Sequence, residues 1–277
     1  MEVGWYATAG PVTELSDEQR ELIGGLGFDA LDLCRVAQGL LVGPGDAFGS
    51  GLSDERMAER NLRPASAILQ RSLDVDSSLR LDHDRPAERR VVGTCRHFAV
   101  LATAFLRAVG TPSRARCGFA AYFEPPKKVD HWIVEVWSDE GHRWLRVDPE
   151  HLDRPTPVAV RCDDLQPGDF LTGGEAWQLV RSGRDGAESY GVFGTDHWGP
   201  GEIRGNAMRD LASVAAKVEV LPWDEWGPMA ASYEGTTGDD FDELIDEVAT
   251  VTTADDPSAA DLERLYRLLA VPPELQR

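Results

Sequence analysis

The chain has 277 residues, 42% of them apolar, with a formal net charge of −20 and a pI near 4.6. That length can bury a sizeable core, in one large domain or two small ones. The acidic balance opposes phosphate backbones and anionic bilayers, which argues against nucleic acid and membrane as partners; its plain reading is solubility. The start, Met1-Glu2-Val3-Gly4-Trp5-Tyr6, has neither a basic stretch nor an apolar segment, so no signal peptide is expected. No apolar run approaches a bilayer-spanning length. Cys34, Cys95, Cys117 and Cys162 are scattered without a Cys-x-x-Cys pair, which disfavours a zinc ribbon, a redox motif or a disulfide scaffold. A reducing, cytoplasmic setting fits that usage best.

In chain order, Ser16 to Leu26 opens with a capping box, Ser16 with Gln19, and Asp29 to Val42 spaces Leu33, Ala37, Leu40 and Leu41 at helical intervals. Gly43-Pro44-Gly45-Asp46 breaks that helix, and Ser53 to Leu73 forms a further helical region interrupted near Pro64. Leu79 to Arg90 is polar and reads as a loop leading to the next helix. There, Thr94 is a candidate N-cap. Phe98, Leu101, Phe105 and Val109 share one helical face, and Gly110 stands where a left-handed cap belongs. Ser113 to Phe123 is the first expected core strand, followed by a turn at Glu124-Pro125-Pro126-Lys127-Lys128. Thr156 to Arg161 and Lys217 to Leu221 are further candidate strands, Arg204 to Ala212 a helix, and the tail holds helices over Phe241 to Val251 and Pro257 to Leu269.

Three chemistry-bearing residues sit at the edges of these elements. Cys95 opens the amphipathic helix, His131 opens the β-forming run His131 to Trp137, and Asp148 closes the run Trp144 to Asp148. A thiol, an imidazole and a carboxylate are the parts that covalent acyl transfer requires. At a helix start the free N–H groups and the dipole favour a thiolate, and the Cys95 N–H is the natural first oxyanion donor. With Ser138-Asp139-Glu140-Gly141 as a hairpin loop, Trp137 faces His142 and His131 faces Asp148. A six-residue loop would instead make His131 and Asp148 diagonal neighbours on the same face.

These residues lie within Val92-Gly93-Thr94-Cys95-Arg96-His97-Phe98, Leu106 to Arg116, Asp130-His131-Trp132 with Glu135-Val136-Trp137, and Trp144, Val147, Asp148 and Pro149. The stretch from Val91 to about Asp153 resembles the transglutaminase-like superfamily, which shares a papain-like core with Cys, His and Asp in that chain order. The region after Asp163 is similar to a poorly characterised bacterial group of that superfamily. The resemblance implies an α+β fold with a papain-like transglutaminase core, the catalytic helix packed on an antiparallel sheet, and helical N- and C-terminal extensions. It divides the chain into an N-terminal helical region (1–90), a catalytic core (91–153) and a C-terminal extension packed on it (154–277). It also implies a catalytic trio of Cys95, His131 and Asp148 that forms a thioester from an amide or ester of a small molecule or peptide, and then hydrolyses it or passes it to an amine. The acyl donor could also be bound to a carrier protein. The rival reading is a non-catalytic binding module that keeps the fold. Calcium-dependent protein cross-linking is disfavoured, because the chain is too short for the added β-sandwich domains.

Other residues are weighed against plainer roles. Gln38 is a candidate second oxyanion donor, and Trp132, Trp198, Arg204 and Asn206 are candidate substrate contacts, although Trp132, with Trp137 and Trp144, suits a core better than a ligand platform. Trp177, Trp198, Trp223 and Trp226 either wall a small pocket or fill the C-terminal core. His97 lies on a different helical face from Cys95 and reads as structural; His151 could be surface or site wall; Cys34 and Cys117 read as core. No spacing for a metal site is visible, and neither metal nor cofactor is expected.

Overall fold

The computed structural model describes residues 2–78 and 80–276. Met1, at the head of the segment read above for a signal peptide, and Leu79, first residue of the expected approach loop, lie outside them. The N-terminal third is helical. Ser16 and Gln19 form the expected reciprocal cap of α1 (Asp17–Gly24), and Asp29 caps α2 (Ala30–Leu40). The break at Gly43-Pro44 does end α2, but Pro44 then takes the first position of a short helix α3 (Pro44–Gly49), where its missing N–H costs nothing. Between them β1 (Leu41–Val42) pairs in parallel with β2 (Val91–Val92). The region around Pro64 splits as expected, into α4 (Asp54–Met57) and α5 (Ala65–Val75).

The central helix α6 (Cys95–Ala108) carries Phe98, Leu101 and Phe105, all fully buried, against Leu33, Leu40, Ile68 and Leu69 from α2 and α5 and against Val134 and Val136 of the sheet. Each such side chain contributes about 1.5–3 kcal/mol of burial. Val109 departs from the expected apolar face: it ends the helix and is 42% exposed, with Gly110 beyond it at φ +79°. Two buried arginines anchor the helix. Arg96 donates to the carbonyls of Glu219 and Arg63, and Arg107 donates to Ser113, Tyr6 and Thr13.

The antiparallel sheet is built from β3 (Ser113–Ala120), β4 (Lys128–Ser138), β5 (Arg143–Val147) and β6 (Phe170–Thr172), in the order β5-β4-β3-β6, and β7 (Tyr190–Gly191) pairs in parallel with the start of β4. The expected α+β arrangement, one helix laid on an antiparallel sheet, is the observed one. The hairpin register differs from the first expectation by two residues. Trp137 faces Trp144 and Ser138 faces Arg143, the diagonal alternative. Ser138 belongs to the ladder because its hydroxyl accepts the Gly141 N–H at 3.2 Å, and His142 closes the turn at φ 45°.

Beyond the sheet, α7 (Gly173–Arg181), α8 (Pro200–Ala216), α9 (Met229–Tyr233), α10 (Asp239–Thr252) and α11 (Ala259–Leu269) enclose a second core around Met208, Leu211, Ile245 and Leu265. Both expected tail helices form. The expected strands at 156–161 and 217–221 do not. Pro157 cannot donate to a ladder, and Lys217 adopts the left-handed conformation that ends α8, its N–H bonding Ser213. Helix α7 was masked in the sequence by its first two residues. A Cβ on Gly173 would stand 2.3 Å from the Ala207 nitrogen, and one on Gly174 2.6 Å from Thr252, so both glycines exist for helix contact. Among the described residues no helix is long and apolar enough to cross a membrane.

Candidate active site

Cys95 is the first residue of α6. Thr94 precedes it in extended conformation, and His97 folds back so that its Nδ1 accepts the Thr94 N–H at 3.1 Å. His97 thus closes the helix start, and burial, with the charge of Arg96, lowers its pKa to about 3, so it stays neutral. This is the structural role that its helical offset implies. Helix geometry leaves the first-turn N–H groups, including that of Cys95, without intrahelical acceptors. Of the four cysteines only Cys95 is not fully buried; burial pushes the Cys34 and Cys162 thiols up to about 12.

His131 stands on β4 opposite Gly118. Its Nε2 bonds Asp148 Oδ2 at 3.0 Å, which leaves Nδ1 as the nitrogen free to serve a thiol. One donor atom each from Cys95, His131 and Glu150 lie within 4.8 Å of one another. Asp148, fully buried at the end of β5, is the hub of the site. Oδ2 also accepts from Tyr122 Oη at 2.6 Å and His151 Nδ1 at 3.1 Å, while Oδ1 accepts the N–H groups of Glu150 and His151 at 2.9 and 3.2 Å. Those two turn bonds are an Asx-turn built from Asp148-Pro149-Glu150-His151. The structure therefore brings Cys95, His131 and Asp148 together in the sequence-expected order.

The electrostatics follow from burial against these contacts. Burial alone would raise the Asp148 carboxyl, but the His131 and His151 partners outweigh it and hold Asp148 far below the usual carboxylate range. Burial would likewise lower His131, and the Asp148 carboxylate, helped by Cys95, instead holds it well above its usual value. At Cys95 burial wins: it pushes the thiol up, and the bond to His131 pulls it back only in part. The thiolate expected from the helix dipole is thus opposed by desolvation. Alkylation of Cys95 by iodoacetamide is expected to accelerate with pH, with its midpoint above the ordinary thiol value of about 8.5. A rate already at plateau at pH 6 would show that dipole and imidazolium outweigh burial. Cys34, Cys117 and Cys162 should label slowly throughout.

The other expected site residues are divided between the surroundings of this trio and more distant positions. Gln38 is buried on α2 and donates to the Glu150 carbonyl at 2.9 Å, so it supports the turn beside the site. Trp132 is fully buried among Ala99, Ala115 and Cys117, with Cys95 packed against that cluster: it is the floor behind the nucleophile. Asn206 is fully buried and bonds Gly118 O, Asp130, Cys117 Sγ and Arg209, which makes it a tie between α8 and the sheet. Trp198 and Arg204 line a separate surface cleft with Tyr233, and Arg204 is ion-paired to Asp242 at 2.7 Å. The wall of tryptophans does not form. Trp177 and Trp226 fill the C-terminal core, whereas Trp223 is 45% exposed.

Sequence reading overlooked three contributors. Tyr122 bonds Asp148, and the Phe123 ring lies 5.0 Å from the His131 ring and 4.9 Å from the His151 ring, centroid to centroid. Glu150 brings a half-buried carboxylate to the thiol and imidazole; burial raises its pKa. The Asp-Pro-Glu-His turn was the available signal for Glu150, since an Asx-turn curls the following residues back over the aspartate.

Residues 62–149 match the family model of the transglutaminase-like superfamily, so the match begins ahead of the Val91 at which the sequence resemblance was placed. A comparison with curated proteins finds no match. Among solved structures, a candidate cysteine protease from Cytophaga hutchinsonii aligns at 23% identity over 36% of this chain and 36% of its own, with a TM-score of 0.20. The alignment therefore spans about a third of that protein. A helix that opens with Cys95, a strand that carries His131 and a second strand followed directly by Asp148 are all contained in the segment, residues 62–149, that matches the model of the transglutaminase-like superfamily.

Proposed function

We propose that the protein is a cysteine-dependent acyl-transfer enzyme that forms a thioester on Cys95 from an amide or ester of a small molecule or peptide. The observation that carries this reading is the juxtaposition of Cys95, His131 and Asp148, with the partly buried Cys95 at a helix start. The first half-reaction starts from the form in which His131 is neutral: Cys95 gives its proton to His131 Nδ1, and Sγ attacks the substrate carbonyl carbon. The carbonyl electron pair moves to oxygen, where the Cys95 N–H can meet it. Collapse breaks the bond to the leaving amine or alcohol, which takes the proton from His131. In the second half, water or an amine attacks the thioester, His131 removes its proton, and the thiol departs. Asp148 holds the imidazole in one tautomer through Nε2 and stabilises the imidazolium.

Phe123 and His151 supply a small aromatic margin beside the imidazole. It suits a short acyl chain, free or displayed on a carrier protein. The test is intact mass spectrometry after exposure to a small activated ester. One acyl group on wild type and none on Cys95→Ala, with matched melting curves, is the expected result. A chase with amines then divides the two acceptors: free acid alone leaves hydrolysis, and amide product establishes transfer. Equal acylation of both proteins would remove Cys95 as nucleophile.

A further inference from the structure

We infer that Cys95, His131 and Glu150 form a binding site for a thiophilic divalent cation, zinc by its donor set, that switches the nucleophile off. The three groups come from three elements, the start of α6, the middle of β4 and the turn after β5, and their donor atoms lie within 4.8 Å of one another. Donors around a tetrahedral zinc stand roughly 3.5 Å apart, so the set closes by movements of about 1 Å. Glu150 has the freedom to make them. Among the described residues its carboxylate oxygens make no hydrogen bond, whereas its backbone N–H and carbonyl are held by Asp148 and Gln38. Gly43 leaves room at this side: a Cβ there would stand 3.3 Å from Glu150 Oε1.

The surroundings match a metal centre as well as a catalytic one. Asp148 takes His131 Nε2 at 3.0 Å, the carboxylate–histidine arrangement that fixes the tautomer presenting the other nitrogen to a metal. Sulfur, imidazole nitrogen and one carboxylate oxygen are a three-ligand zinc set with a fourth position left for water. A carboxylate beside a nucleophilic sulfur is otherwise costly, because its charge opposes the thiolate. A divalent cation turns that opposition into attraction. Coordination expels the Cys95 proton to solvent and engages His131 in its neutral form, so binding should tighten as pH rises and the bound sulfur cannot attack a carbonyl.

Cobalt(II) and zinc added to the whole metal-free protein provide the test, with no substrate present. That makes the outcome independent of the acyl-transfer reading. One equivalent of cobalt should give a thiolate-to-cobalt charge-transfer band on wild type that is missing from Cys95→Ala. One equivalent of zinc should protect Cys95 from iodoacetamide. Glu150→Gln, which breaks no hydrogen bond and should melt with wild type, should weaken cobalt and zinc binding about tenfold or more, within the range by which support-shell changes alone act. A wild-type protein without the cobalt band, or a Glu150→Gln variant that binds as tightly as wild type, would overturn the assignment.

Discussion

Asp148→Asn is expected to leave a folded protein whose acyl-enzyme formation is slower by three to four orders of magnitude. The corresponding change in a serine triad costs about 10⁴, because the amide holds the imidazole in the wrong tautomer. Here the effect has a second component. The Asp148 carboxylate is what keeps His131 protonated far above its usual value despite burial, so its removal lets burial prevail and the His131 pKa falls. The imidazole should therefore titrate at lower pH in Asp148→Asn than in wild type, as followed by its ring proton resonances. Tyr122→Phe removes one of three donors to Oδ2 and leaves the carboxylate charge in place, so its effect should stay within about tenfold. A loss of less than about threefold in Asp148→Asn, or an unshifted His131, would reduce Asp148 to a turn residue.

The pattern of what the sequence made legible has a physical logic. The Cys95 helix was readable because its N-cap and its apolar face repeat at the helical period, both local signals. The His131 and Asp148 strands were readable by alternation. Their exact partners were not, since the pairing turns on whether Ser138 sits in the ladder or in the loop, and only its hydroxyl contact to Gly141 decides that. Glu150 escaped because a turn carries no periodicity. Asn206 invited a substrate role through its polar side chain, and its burial came from α8, an element whose packing depends on residues far away in sequence. Gly173 and Gly174 hid α7 for the same reason: a glycine that permits close helix approach looks in isolation like a helix breaker.

The same distance effect conceals the polar network that joins the two halves, and it yields the largest expected loss of stability. Glu135 lies fully inside the sheet and accepts from Arg114 Nε at 2.6 Å, Arg116 at 2.8 Å and Arg146 Nε at 3.1 Å. Arg116 continues to Asp210 on α8, and Arg146 to Glu175 on α7. One carboxylate thus neutralises arginines on β3 and β5 that the helices of the second core also use. Glu135→Gln keeps the shape and removes the charge, leaving Arg114 without its carboxylate partner and Arg116 and Arg146 with one each, and should cost about 3–5 kcal/mol. At 2–4 °C per kcal/mol for a protein of roughly this size, the melting temperature should fall by about 10 °C. The pH dependence fixes the cause. The arginines outweigh burial and hold the Glu135 carboxyl far below its usual value, so the unfolded chain takes up this proton first as pH falls. The stability that Glu135 contributes is then complete above about pH 5 and declines progressively below the unfolded glutamate pKa of about 4.3. Wild type and Glu135→Gln should accordingly differ most at neutral pH and converge in denaturant midpoint as the solution is acidified. A gap that stays constant from pH 7 to pH 3 would assign the loss to packing instead of charge.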